Sequence, residues 1–189
     1  MRTVRAVIPA EIADAVLTTV PTAFGTRVDT ALLAALAAAL TDDAGDRASI
    51  LVENHGREEH IAPGADLSET VGWFTALVPM TVAVPAGTPI VTTVKTVKDA
   101  LARMPDRGVA FGPLRYLRAD SPLRDRPLPP VSFNYLGVLG DAGADDAAAL
   151  AAFAPAPDAP ALPASARGTM AALAALTVTC LLYTSPSPR

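Results

Sequence analysis

Asp66-Leu-Ser-Glu-Thr-Val-Gly-Trp-Phe-Thr-Ala-Leu-Val-Pro79 contains the chain's only tryptophan. Polar turn residues lead into a short apolar run that stops at a proline. This is the pattern of a strand entered through a tight turn. Gly72 lacks a side chain, so another backbone or a ligand can approach it closely. Trp73 and Phe74 are consecutive, and on a strand they would face opposite ways. One would fill a core, and the other would line a groove or a second layer. On pattern alone this is a buried strand with one aromatic residue per face.

Upstream, Ala48-Ser-Ile-Leu-Val-Glu53 reads as a short, mostly buried strand, and it runs into Glu53-Asn-His-Gly-Arg-Glu-Glu-His60. Chemistry-bearing residues concentrate here. Glu53 stands where a buried strand emerges, a place where a carboxylate loses part of its hydration. His55 and Arg57 are close enough in sequence to modulate it, and Gly56 permits a positive-φ turn. A solvated polar loop in which Arg57 pairs with Glu53 or Glu58 accounts for the same residues. His55 and His60 match no zinc-ligand spacing, and there is no catalytic-triad pattern and no glycine-rich phosphate loop.

Further out, the pattern alternates helices and strands. Pro9 and the acidic Glu11 and Asp14 suit a helix start. Ile12, Val16 and Val20 predict one buried stripe that ends at Pro21. Val28, Leu32, Leu36 and Leu40 share a face of a second helix, with alanines between them that let a neighbour pack close. Met80 to Val84 extends the tryptophan strand. Val91, Val94, Val97 and Leu101 predict an amphipathic helix with Lys95, Lys98 and Asp99 outward. Val109 to Leu117 suits a short helix. Val131-Ser-Phe-Asn-Tyr-Leu-Gly137 reads as a strand with Phe133 and Tyr135 on one face and Asn134 on the other.

Composition sets the outer bounds. The chain has 189 residues, enough for one ordinary domain, and a formal net charge of −4. That charge points to neither a nucleic-acid nor a membrane-surface partner. The single cysteine, Cys180, excludes an intramolecular disulfide and a cysteine metal cluster and suits a reducing compartment. Glu11 and Asp14 interrupt any apolar run behind Arg2 and Arg5, so no signal peptide is expected. The apolar runs 31–40 and 170–183 are too short or too mixed to span a bilayer. The expectation is a soluble cytoplasmic protein. Residues 141–166 are Ala-, Asp- and Pro-rich and predict a loose loop. Apolar character returns over 167–179, the expected last strand. Cys180 to Arg189 shows no rhythm that continues the chain and resembles a translated sequencing-adaptor tail, so it adds nothing to the expected fold.

Four stretches, in order, resemble one family. Glu53-Asn-His-Gly-Arg-Glu58 resembles the motif EGHGRE. Asp66 to Pro79 resembles DxSRTVGWFTxxxP. Pro105-Asp-Arg-Gly-Val-Ala-Phe-Gly112 resembles PxxGxGYG, and Pro130-Val-Ser-Phe-Asn-Tyr-Leu-Gly137 resembles PxxxFNYLG. These are motifs of the epimerization domains of nonribosomal peptide synthetases, within the condensation superfamily. The resemblance implies an α/β fold, the C-terminal lobe of a chloramphenicol-acetyltransferase-like (condensation-domain) architecture, truncated and spanning residues 1–140 plus the last strand. The strands near 48–53, 72–82 and 131–136 would share one sheet, with helices near 28–40 and 91–103 packed on it.

The implied activity is that of an isomerase in secondary-metabolite, including antibiotic, biosynthesis. It inverts the Cα of an aminoacyl or peptidyl thioester. No cofactor is bound directly, and the substrate rides on the 4'-phosphopantetheine of a carrier protein. Implied partners are the peptidyl carrier protein, neighbouring synthetase domains and the N-terminal lobe of the same domain. Glu53 would be one of an acid/base pair, since inversion through a planar enolate needs proton access from both faces. His55, Arg57, Trp73, Asn134 and Tyr135 are the candidates to line the tunnel. Asn134 and Tyr135 could hydrogen-bond the thioester oxygen or hold Glu53.

The chain departs from the motifs at several positions. Asn54 replaces a glycine, Glu69 an arginine, and Ala110 and Phe111 a glycine and a tyrosine. The family's HHxxxDG motif is absent, as the chain has no consecutive histidines. A C-terminal half-domain, inactive alone, is therefore the expectation. Two alternatives stand beside it: a peptide-bond-forming condensation-domain fragment, and a non-catalytic half-domain that docks a carrier protein.

Overall fold

The computed structural model describes residues 6–139 and 173–183. Its centre is a four-stranded sheet in the order β2-β1-β3-β4. The strands are β1 (Arg47–Asn54), β2 (Ala76–Ala83), β3 (Val131–Leu139) and β4 (Leu176–Tyr183). β1 and β2 are antiparallel, with Arg47 opposite Ala83 and Asn54 opposite Ala76. β1 and β3 are parallel, with Ile50 beside Val131 and Val52 beside Phe133. β3 and β4 are also parallel, and their register shifts between Tyr135 and Gly137. Gly137 takes a φ of 98°, a conformation glycine adopts without penalty, at this irregularity.

Two helices cover one face of the sheet: α3 (Val28–Ala44) and α4 (Ile90–Ala102). Between helices and sheet lies the core. Leu33, Ala34 and Ala37 meet Ala48, Ile50 and Val52 of β1, Met80 and Val82 of β2, Val94 and Val97 of α4, and Phe133 of β3. Ala34 and Ala37 are fully buried. Their small side chains bring the α3 backbone close to the sheet, as the alanine-rich sequence implied. The stripe that is buried most deeply is Thr30, Leu33, Ala34, Ala37 and Thr41, while Leu32, Leu36 and Leu40 pack at its flank. In α4, Val94 and Val97 are buried and Val91 is exposed. A short helix, α5 (Phe111–Tyr116), packs near β2.

The expected three strands therefore share one sheet, with the two expected helices on it. Besides Val91, which was expected on the buried face of α4 and is exposed, four features differ from expectation. First, Gly72 to Thr75 precede β2 rather than forming its start. β1 pairs with β2 only as far as Asn54 opposite Ala76, then turns away at Gly56 (φ 66°), so residues before Ala76 have no ladder partner. Trp73 is 92% exposed and Val71 99% exposed, so the tryptophan fills no core.

Second, the N-terminal helix does not stop at Pro21. It runs as α1 (Ala10–Asp14), a π-helical stretch (Ala15–Thr19) and α2 (Val20–Phe24). The wider π turn lies just before the proline, which cannot donate to the preceding turn. Gly25, at φ 53°, ends the helix in a left-handed cap. Ile12 is 54% exposed, so no buried stripe forms along this segment.

Third, Lys98 does not point outward: its Nζ donates to the carbonyl of Phe24 at 2.6 Å, closing the end of α2. Fourth, β4 begins at Leu176 and runs to Tyr183, so the ladder with β3 continues into the tail from Cys180. A strand beside an existing ladder needs backbone partners more than an alternating sequence, which is why the pattern alone missed it. The expected loop at 141–166 lies outside the described residues.

Candidate functional site

Glu53 follows the buried Val52 at the C-terminal end of β1. In the parallel pairing with β3, the next position beside it is Asn134, on the same face of the sheet. Asn134 Nδ2 donates to Glu53 Oε2 at 2.6 Å, across 81 residues of sequence. A short bond from an amide to one carboxylate oxygen fixes the plane of the carboxylate and leaves the other oxygen for chemistry.

The five residues that follow make a turn in which successive side chains tie down different parts of the molecule. Asn54 Nδ2 donates to the carbonyl of Arg107 at 3.0 Å. Gly56, in its left-handed conformation, packs so closely that an added Cβ would sit 1.7 Å from the Phe74 carbonyl oxygen. Arg57 donates to the carbonyls of Leu67 at 2.6 Å and Thr70 at 2.9 Å, and its guanidinium lies 4.3 Å from the centre of the Phe74 ring. Arg57 thus pairs with neither Glu53 nor Glu58: it caps the turn that leads into β2 and holds Phe74 by a cation–π contact.

Glu58 is the buried acid of this loop, with its side chain only 4% exposed. Arg107 NH1 lies 3.5 Å from Oε1, His55 Nε2 3.7 Å from Oε1, and His60 Nδ1 3.4 Å from Oε2. His60 Nε2 lies 3.5 Å from Asp106 Oδ1. His55 Nδ1 accepts the Arg57 backbone N–H at 3.0 Å, so a neutral imidazole carries its proton on Nε2, towards Glu58. Arg107 comes from the 3₁₀ turn Pro105–Gly108, in which Asp106 (φ 45°) and Arg107 (φ 49°) are left-handed. Gly108 cannot be larger, since a Cβ there would lie 1.9 Å from Val78 Cγ2.

A cavity of about 430 Å³ opens beside this turn, between the N-terminus of α3, the end of α4, the end of β1 and the middle of β3. Glu53, His55, Glu58 and Tyr135 line it, over an apolar floor that includes Leu33, Val52 and Phe133. Burial, together with the Asp29 carboxylate, pushes the Tyr135 phenol above its ordinary value, and Arg27 offsets part of that rise. Arg27 is in turn held protonated by its hydrogen bond to Asp29. Tyr135 therefore stays a neutral hydrogen-bond donor at physiological pH.

Of the residues singled out from sequence, Glu53, His55 and Tyr135 meet at one cavity, and Asn134 holds Glu53. Arg57 and Trp73 do not line it. Glu58, Arg107 and Asn54 were not singled out as site residues. The signal for Glu58 was weak, because Glu58-Glu59 in a polar run reads as solvated loop until Arg107, 49 residues away, is brought beside it.

Residues 2–153 match the Condensation domain family. The chain is 44% identical over 137 residues to chondramide synthase of Chondromyces crocatus, covering 72% of this chain and 3% of that protein. It is 39% identical over 118 residues to bacitracin synthase 2 of Bacillus licheniformis, covering 62% of this chain and 4% of that one. The structure superposes on the crystal structure of the epimerization domain from the third module of tyrocidine synthetase B with a TM-score of 0.61 at 30% identity. That match covers 71% of this chain and 31% of that one. A condensation domain mediating chain release from the enacyloxin polyketide synthase gives 0.51 at 19% identity, a likeness of fold. The chain belongs to the condensation-domain family of nonribosomal peptide synthetases, and its mixed α/β structure is that of the chloramphenicol-acetyltransferase-like fold. Among the described residues no single helix is long and apolar enough to cross a membrane.

Proposed function

We propose that this chain is the C-terminal half of an epimerization domain, and that Glu53 moves the Cα proton of an aminoacyl or peptidyl thioester. The observation that carries this reading is the Asn134–Glu53 hydrogen bond at 2.6 Å. It orients the carboxylate of a residue that borders a cavity of about 430 Å³. The likeness to the tyrocidine synthetase epimerization domain supports it. Proton removal from Cα generates an enolate, so a donor near the thioester oxygen lowers the barrier. Tyr135, a neutral phenol that lines the cavity from the face of β3 opposite Asn134, is the donor proposed for that role. The second acid–base group comes from a histidine motif in the N-terminal half. The substrate arrives on the 4'-phosphopantetheine of a carrier protein, and neighbouring synthetase domains supply and receive it.

A second reading, peptide-bond formation by a condensation domain, is equally compatible with the family match. One assay separates the two. The complete synthetase module is run in deuterated buffer with its carrier protein charged with L-alanyl-, L-leucyl- or L-phenylalanyl-phosphopantetheine. Epimerization predicts deuterium at Cα and a mixture of enantiomers on release. Dipeptide without Cα exchange, when a second charged carrier protein is added, overturns the epimerase reading.

A further inference from the structure

We propose that Glu58 and Arg107 form a positioning pair for Glu53, an inference that rests on the epimerase reading above. A carboxylate this deeply buried is costly unless charges and donors surround it. Here three cationic or titratable groups do so at 3.4 to 3.7 Å: Arg107, His55 and His60, with Asp106 behind His60. Arg107 serves the loop twice, because its carbonyl also accepts from Asn54 at 3.0 Å. Asn54 is the residue directly after Glu53. The Asn54–Glu58 turn and Arg107 therefore close a ring, and Glu53 leaves β1 at the mouth of that ring. Asn134 fixes the Glu53 carboxylate from one side, and the ring fixes its backbone from the other. Arg107 is held at φ 49°, a conformation that non-glycine residues adopt only where surrounding contacts enforce it. With the pair broken, the 54–58 turn is free to shift, and the carboxylate moves relative to Cα. Displacements of about 1 Å can cost up to about 100-fold in rate.

Glu58 and Arg107 also line the cavity, so direct contact with substrate is the competing explanation, and kinetics distinguishes them. In the complete module, with the charged carrier protein as substrate, positioning predicts that Glu58→Gln and Arg107→Met each lower kcat for Cα exchange about 10- to 100-fold. KM should be unchanged, and the double variant should be no slower than the slower single one. Arg107→Lys should recover part of the loss. Arg107 is 66% exposed, so its variants fold even if the buried Glu58→Gln does not, and Arg107→Met then decides. A raised KM, additive losses in the double variant, or a wild-type kcat in Arg107→Met overturns the pair. Glu53→Gln is run beside them. Near-normal exchange there removes the base assigned above, whereas loss there with normal Arg107→Met kinetics removes only the positioning pair.

Discussion

The face of the sheet beneath α3 and α4 and the end of β1, beside the middle of β3, are held by different forces. The first is apolar contact: Leu33, Ile50, Val82, Val97 and their neighbours are shielded from water on all sides. The second is a set of single polar contacts, each joining segments far apart in sequence: Glu53 to Asn134, Asn54 to Arg107, Arg57 to Leu67 and Thr70, and Glu58 to Arg107. β1 belongs to both, with Ile50 and Val52 in the core and Glu53 in the site. Stability and site geometry therefore reside in different residues of one strand, and substitutions should separate them.

The largest effect on stability should come from the core. In the complete domain, Ile50→Ala should cost about 2–5 kcal/mol, read from urea denaturation. Gly56→Ala comes next. Its Cβ meets the Phe74 carbonyl oxygen, and the positive φ adds strain of about 1–3 kcal/mol. Hydrogen exchange should show residues 54–75 opening while amides of β1 and α3 stay protected. Uniform loss of protection would mean that turn and core are one unit.

Smaller effects sharpen the contrast. Arg57→Lys keeps the charge but loses the planar fork over Phe74. Combined with Phe74→Leu in a double-mutant cycle, it should show a coupling of about 0.5–1 kcal/mol. Lys98→Met removes one donor at the end of α2 and should cost about 0.3–1 kcal/mol. Tyr135 has its folded-state pKa raised, so its contribution is intact below the ordinary tyrosine value of 10.0 and is lost as pH rises through the folded value. A melting series above that pH should fall less steeply for Tyr135→Phe.

The core was largely legible in the sequence because periodicity records burial. The runs at Ile50, Val94 and Phe133 alternate or repeat with the spacing that their elements then showed. Glu53 and Tyr135, which border one cavity, and Asn134, which bonds Glu53, were picked out through position on a strand and motif likeness. Trp73 was misread because an apolar run resembles a strand whether or not a partner ladder exists beside it. Pro21 was misread because a π turn lets a helix pass a proline. Glu58 and Arg107 were opaque for a different reason. The burial of Glu58 beside Arg107 depends on a contact across 49 residues, and no local pattern encodes that.

The central claim is that Glu53 does chemistry while the turn around it does geometry. The direct measurement is the rate of Cα deuterium incorporation by the complete module carrying Glu53→Gln, with the thermal melt taken on the same sample. Glutamine keeps the shape of the side chain and a hydrogen-bonding contact to Asn134 but cannot accept and return the proton. Exchange should fall by about 10²–10⁴-fold with the melting temperature unchanged. Exchange near the wild-type rate in a folded Glu53→Gln module would contradict the claim and leave Glu53 a structural partner of Asn134.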